Sequence, residues 1–243
     1  MINDDPLKNI RVVLTQPSHP GNIGAAARAL KTMGLNALYL VNPRQFPHVE
    51  ADARASGALD VLREARVCGS LAAALSGCVL AVATSSRQRE LRHDMMSARE
   101  AAHELLKQAA SYSVAIVFGN ETSGLSSEEA SLCQVWAYVP ANPAYASLNL
   151  ASAVQIFAYE LRMAGLACGA LPEPEFEPAT FDQVEHLYRH FERAMASTGF
   201  LDPANPKRLL PRLRRLLARA RLEAEEVNIL RGFLKTIEKL PPK

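Results

Sequence analysis

The sequence predicts an α/β domain built on a mostly parallel sheet with helices on both faces, followed by a small all-helical domain. Three observations predict this. Between residue 10 and about residue 165, short apolar runs alternate with amphipathic stretches. The apolar runs are nearly continuous, as strands buried on both faces of a parallel sheet must be. After Gly165 the composition changes abruptly to proline and glutamate.

Strands are read at 10–15, 37–41, 65–68, 78–84, 114–118 and 135–140, and helices at 25–33, 71–75, 98–110, 127–132 and 148–164. Such alternation implies a doubly wound sheet that binds ligands beyond the carboxyl ends of its strands. Gly169, Pro172, Pro174 and Pro178, interleaved with Glu173, Glu175 and Glu177, cannot continue a helix and read as an acidic linker over 166–179. Helical patterns at 180–198, 207–220 and 223–239 follow, punctuated by Gly199, Pro203 and Pro206. The chain is thus divided into domains 1–165 and 180–243.

With 49% hydrophobic and 21% charged residues and a formal charge of +2, the 243 residues belong to the ordinary globular class, and collagen-like and disulfide-stapled classes are excluded. Asp4, Asp5 and Pro6 stand where a signal peptide needs a basic flank, and no run approaches the roughly 18 apolar residues of a membrane span. A cytoplasmic protein without membrane attachment is expected. Cys68, Cys78, Cys133 and Cys168 form no C-x-x-C pair and are expected to be reduced and buried. His186 and His190 share a helix face without a companion ligand, so no metal is expected.

The total charge conceals a local one. Lys207, Arg208, Arg212, Arg214, Arg215, Arg219 and Arg221 lie within fifteen residues that contain no carboxylate. Leucines between them make the segment an amphipathic helix. Its basic side is either a solvated or dimer-forming face or a surface for a phosphate backbone.

Three loops at strand ends could carry chemistry. The first runs from Pro20 to Arg28, where glycines and small residues entering a helix would let backbone N–H groups approach a phosphate. It has neither the G-x-G-x-x-G nor the G-K-[ST] spacing. The second, 117–126, leaves a buried strand through Gly119, which suggests close approach to the backbone, and carries Asn120 and Glu121. The third, 140–150, enters a long helix with Ser147 as the natural N-cap and Asn149 in the first turn.

Together, N-I-G-A-A-A-R (22–28), F-G-N-E-x-x-G-L-S (118–126) and S-L-N-L-A-x-A (147–153) resemble the three motifs of the SPOUT-class RNA 2′-O-ribose methyltransferases. The resemblance covers about 10–165. Motifs that begin near the N-terminus, with a helical extension behind them, look most like the bacterial enzymes that methylate the ribose at tRNA position 32. This resemblance implies a deep trefoil knot, S-adenosylmethionine as cofactor, tRNA as substrate and a homodimer with its sites at the interface. It places the cofactor at Thr84, Ser85, Ser86, Gly119, Asn120, Val139, Ala146, Ser147 and Leu148. It gives Arg28 the key catalytic role, with Asn22 and Glu121 orienting it and the substrate across the dimer and Ser147 or Asn149 holding the nucleotide. Arg87, Arg89 and Arg92, with Arg28 and the basic helix, are the RNA-contact candidates. A guanidinium with a pKa above about 12 clamps phosphate and stabilises alkoxide charge more readily than it removes a proton. Two other classes stay open: an RNA-binding relative without catalysis, and a nicotinamide enzyme, against which Val41-Asn42-Pro43 offers no acidic residue for the ribose.

Overall fold

The structure, a computed structural model, describes residues 5–85, 95–167 and 176–239. The chain forms two compact units, Met1–Glu173 and Pro174–Lys243.

The first unit holds strands β1 (Ile10–Thr15), β2 (Leu38–Val41), β3 (Arg66–Cys68), β4 (Leu80–Thr84), β5 (Met95–Ser97), β6 (Val114–Phe118) and β7 (Val135–Tyr138). Their order is β3-β2-β1-β6-β4-β7-β5, and every neighbouring pair is parallel. Central β6 is buried at all five positions, so both its faces are covered, which is why its sequence is an unbroken apolar run. Edge strand β5 is only three residues long and half-buried, too short to show a pattern, and the sequence reading missed it.

Helices α1 (Pro20–Met33), α2 (Val49–Ala55), α3 (Leu59–Arg63), α4 (Leu71–Leu75), α5 (Ala98–Ala109), α6 (Ser127–Ser131) and α7 (Leu150–Ala167) complete the unit. α7 packs against both α1 and α5, and Phe157 on its inner side meets Phe118 at the end of β6 edge-to-face, with centroids 5.6 Å apart. Helices α2 and α3 were also missed: Ser56, at φ 52°, interrupts them before a helical period can build up.

α1 begins five residues earlier than the expected residue 25, because Pro20 fits the first helical turn, where no N–H is needed. Gly21 and Gly24 therefore sit inside the helix rather than in a phosphate-binding loop. A Cβ on Gly24 would lie 2.0 Å from the carbonyl oxygen of Ala51, so this glycine exists to let α1 and α2 touch.

The second unit packs α8 (Phe181–Ser197), α9 (Leu209–Ala220) and α10 (Ala224–Ile237) around Leu187, Tyr188, Leu217, Val227 and Leu234. Residues 177–179, read from sequence as linker, pair with 222–224 through Ala179 N–H to Leu222 O and Ala224 N–H to Glu177 O, both 2.9 Å. Cys78 and Cys133 are buried thiols outside any disulfide, and burial pushes the Cys133 thiol pKa up. Cys68 is only half-buried, short of the expectation, and Cys168 lies outside the described residues.

Candidate active site

Beyond the carboxyl ends of β4, β6 and β7 the chain closes around one pocket. Thr84 and Ser85 line it from the end of β4, and Gly119, Asn120 and Glu121 from the end of β6. Val139 follows β7, and Ala146, Ser147 and Leu148 precede α7. Every described residue of the expected cofactor set thus faces one space. Ser86, together with Arg87, Arg89 and Arg92, lies outside the described residues.

Sequence reasoning missed the apolar floor: Leu125, Leu150, Ala153 and Phe157. The last three recur at helical spacing on one face of α7, a signal that could have found them.

The loop after β6 is a compact turn. Asn120 Oδ1 accepts from Thr122 N–H at 3.0 Å, Ser123 N–H at 2.7 Å and Ser123 Oγ at 3.1 Å, and Gly124 takes φ 69°. The turn folds back on Gly119, where a Cβ would lie 2.1 Å from Gly124 C and Leu125 N. What approaches Gly119 closely is therefore its own loop.

Glu121 joins this loop to α1. Its Oε2 accepts from Ser18 N–H (2.9 Å) and Ser18 Oγ (2.8 Å), and its Oε1 from His19 N–H (3.3 Å) and Asn22 Nδ2 (2.9 Å). His19 is the N-cap of α1 but makes no side-chain cap bond. Glu121 caps the helix from outside and sets a negative charge against the positive end of its dipole. Burial raises its pKa, but the bonds from Asn22 and then Ser18 outweigh this and hold the carboxyl down to about 2, against an ordinary 4.5. Ser18 and His19 were not singled out from sequence, although they directly precede a helix that begins with proline.

Asn149 extends the network. Its Nδ2 donates to Asn22 Oδ1 at 3.1 Å, and its Oδ1 accepts from Ala151 N–H at 2.9 Å. Asn149, not Ser147, therefore caps α7, because the helix starts at Leu150 rather than at 148. Ser147 is left exposed at the pocket.

Arg28 stands apart. It is six residues beyond Asn22 on α1, with the two directions roughly 120° apart around the axis and about 9 Å apart along it. It is exposed and bonds to neither Asn22 nor Glu121 of its own chain. Among the described residues it has no ion-pair partner.

In the second unit Lys207, Arg208, Arg212 and Arg219 are exposed. Lys207 and Arg208 precede α9, which starts at Leu209. Arg215 is half-buried. Arg214 departs from the RNA-facing expectation: it pairs with Glu185, with Nη2 to Oε2 at 3.1 Å, and its guanidinium lies 4.1 Å from the centroid of the Tyr188 ring. His190 is buried beside Glu238 (Nε2 to Oε2, 3.3 Å) while His186 is exposed. Among the described residues no group of three His, Cys, Asp or Glu could hold a metal.

A parallel sheet with a pocket at its carboxyl edge, sealed by a glycine-bearing turn, is the framework against which known proteins can be compared. Residues 9–159 match the model of the SpoU rRNA Methylase family, and residues 182–242 match that of the tRNA methyltransferase TrmJ C-terminal domain. The chain is 47% identical over 245 residues to the tRNA (cytidine/uridine/adenosine-2′-O-)-methyltransferase TrmJ of Pseudomonas aeruginosa, covering 96% of this chain and 95% of that one. To the tRNA (cytidine/uridine-2′-O-)-methyltransferase TrmJ of Yersinia enterocolitica it is 48% identical, covering 96% and 93%. Among solved structures, TrmJ from Z. mobilis ZM4 matches with a TM-score of 0.84 at 34% identity, over 94% of this chain and 99% of that one. The chain belongs to the SpoU methylase family and, within it, to the TrmJ group.

Proposed function

We propose that this chain transfers a methyl group from S-adenosylmethionine to the ribose 2′-hydroxyl of the nucleotide at position 32 in the tRNA anticodon loop, cytidine or uridine, as a cytoplasmic homodimer. The observation that carries the reading is the convergence of the second and third motif loops and the end of β4 on one pocket, with Asn22 of the first motif tied to that pocket's rim through Glu121 and Asn149. Relatives of nearly the same length that are named tRNA 2′-O-methyltransferases support it.

The pocket suits S-adenosylmethionine by the chemistry of its donors. Leu125, Leu150 and Phe157 offer an apolar bed for a purine, and the hydroxyls of Thr84, Ser85 and Ser147 surround it. Glu121 contributes a fixed negative charge to the wall, favourable to a cationic ligand. When bound, the cofactor supplies an electrophilic methyl on a sulfonium.

Backbone groups of Gly119, Asn120, Val139, Ala146 and Leu148 hold this ligand, while Glu121 keeps the α1 entry and the turn in fixed relation. Asn22 and Asn149, already bonded to each other, hold the rim where Ser147 meets the nucleotide. Orientation of this kind can remove several kcal/mol from a barrier. Arg28 clamps the neighbouring phosphate and stabilises the developing alkoxide. Because it does not reach its own chain's Glu121 network, Arg28 serves the pocket of a second copy. Tyr159, Met163 and Leu166, exposed by 47%, 43% and 66% at helical spacing on α7, support such a pairing. Lys207, Arg208, Arg212, Arg215 and Arg219 contribute sequence-independent attraction to RNA phosphates.

Mapping 2′-O-methylation in bulk tRNA from cells lacking the gene tests the reading: loss at position 32 alone is expected. A structural neighbour 25% identical, titled for 2-OH methylation of C/U34 on tRNA, favours position 34 as the second reading. Its match covers 65% of this chain. Loss at position 34 with position 32 intact would decide for it.

A further inference from the structure

At the amino end of the same sheet, on the order of 15 Å from the pocket by strand length, a second cavity opens between Lys8, Arg11, Tyr39, Glu64 and Arg66, with Asn36 and Ser113 at its wall. The strand register brings the three central residues together. Tyr39 on β2 is paired with Val13 on β1 and with Arg66 on β3, and Arg11 is two residues before Val13. Arg11, Tyr39 and Arg66 therefore project from one sheet face, with the tyrosine in the middle. Arg11 and Arg66 both lie over its ring, 5.2 and 5.6 Å from the centroid. Arg11 is fixed there by Nη1, which donates to Ala74 O at 3.0 Å and Ser76 O at 2.7 Å.

Two guanidinia on one ring, with Lys8 beside them, repel one another. Elsewhere in this unit Lys31 is matched by Asp60 at 2.7 Å and Arg99 by Glu160 at 3.1 Å. Here, among the described residues, no carboxylate comes within ion-pair range of Lys8, Arg11 or Arg66. A charged edge strand discourages sheet-to-sheet pairing and would account for Arg66 on β3. It does not account for Arg11, which lies on an inner strand.

We infer that this cavity is a binding site for a nucleotide phosphate. Lys8 and the arginines meet the anion, and the exposed guanidinium of Arg66, backed by Tyr39, offers its outer face for a base to stack on. The phosphate belongs either to the RNA backbone or to a free nucleotide. The RNA source rests on the tRNA reading above, and the free-nucleotide source does not.

The test uses full-length protein with unmodified tRNA and, separately, ATP, measuring affinity against KCl concentration. Wild type is compared with Lys8→Glu and with the double variant Lys8→Ala/Arg66→Ala, whose side chains are exposed. An RNA site predicts about tenfold weaker tRNA binding by the double variant, and a log–log salt slope shallower by about 2, near one for each phosphate that is no longer neutralised. A free-nucleotide site predicts ATP binding that both variants abolish while the tRNA slope stays unchanged. Unchanged tRNA affinity and slope, with no variant-sensitive ATP binding, overturns the inference. Lys8→Glu does not touch the Tyr39 stack, so its result stands even if the double variant loses stability. S-adenosylmethionine binding should be the same in all variants. Absence of methyl transfer by wild type would refute the tRNA reading without touching the ATP result.

Discussion

At the carboxyl edge of the sheet, Glu121 accepts four hydrogen bonds from Ser18, His19 and Asn22, and the turn 120–124 closes on Gly119. At the amino edge, Lys8, Arg11 and Arg66 crowd round Tyr39 with no carboxylate in ion-pair range among the described residues. Glu121 is an anion whose partners belong to the fold, so its environment is complete before any ligand arrives. The cations at the other edge are positioned, Arg11 by two carbonyls, but not ion-paired, although Glu64 shares their cavity. Preorganised polar groups of the first kind fix geometry, whereas uncompensated charge of the second kind supplies attraction.

The sharpest way to break the contrast is steric. Gly119→Ala places a methyl 2.1 Å from the backbone of Gly124 and Leu125. The turn must open, so stability is expected to fall by about 3 kcal/mol, with loss of cofactor binding by calorimetry. Gly24→Ala, at 2.0 Å from Ala51 O, should destabilise similarly through α1 and α2. If Gly119→Ala keeps both its thermal midpoint and its cofactor affinity, the turn is not the rigid part of the pocket.

Arg28→Ala tests the other kind of group. Methyl transfer should fall by about 10²–10³-fold, the usual consequence of removing one donor aimed at developing charge. Thermal midpoint and cofactor affinity should not change, because the side chain is exposed and bonds to no described residue. Mixing Arg28→Ala with an otherwise inactive pocket variant such as Asn149→Ala should restore part of the activity if the arginine works in the partner's site. No restoration would place it in its own.

Glu121 also predicts a pH dependence. Its carboxyl is held at about 2 against an ordinary 4.5, so the anion is favoured by folding. Its stabilisation is fully present above about pH 4.5 and is lost as the pH falls towards 2, on the order of 1 kcal/mol once solvent screening is allowed for. Denaturant midpoints of wild type and Glu121→Gln should converge over that window, and a constant gap would remove Glu121 as the titrating cap.

The smallest effect separates two neighbouring arginines. Arg214→Ala should cost about 1 kcal/mol of stability through Glu185 and Tyr188, while Arg212→Ala should leave stability unchanged and weaken tRNA binding in a salt-dependent way. A reversed pattern would exchange their roles.

Much of this was legible in the sequence where the signal is local. The apolar run 114–118 became β6, and the amphipathic stretch 98–110 became α5. The residues that the resemblance gave to the cofactor line one pocket wherever they are described. The failures share one cause. Gly24 and Arg214 were read from their neighbours in the chain, but what decides each role is a group from elsewhere: Ala51 for the first, and Glu185 with Tyr188 for the second.

The sequence by itself determined the parallel α/β class, the position of the strand ends and the motif loops that meet there, because strand burial and helix period are properties of consecutive residues. Only the tertiary structure decided that Glu121 caps a helix about a hundred residues earlier, that Asn149 bonds to Asn22, and that Arg11 and Arg66 share one tyrosine. Those outcomes depend on register and on distances between segments far apart in the chain, and residue spacing does not encode them.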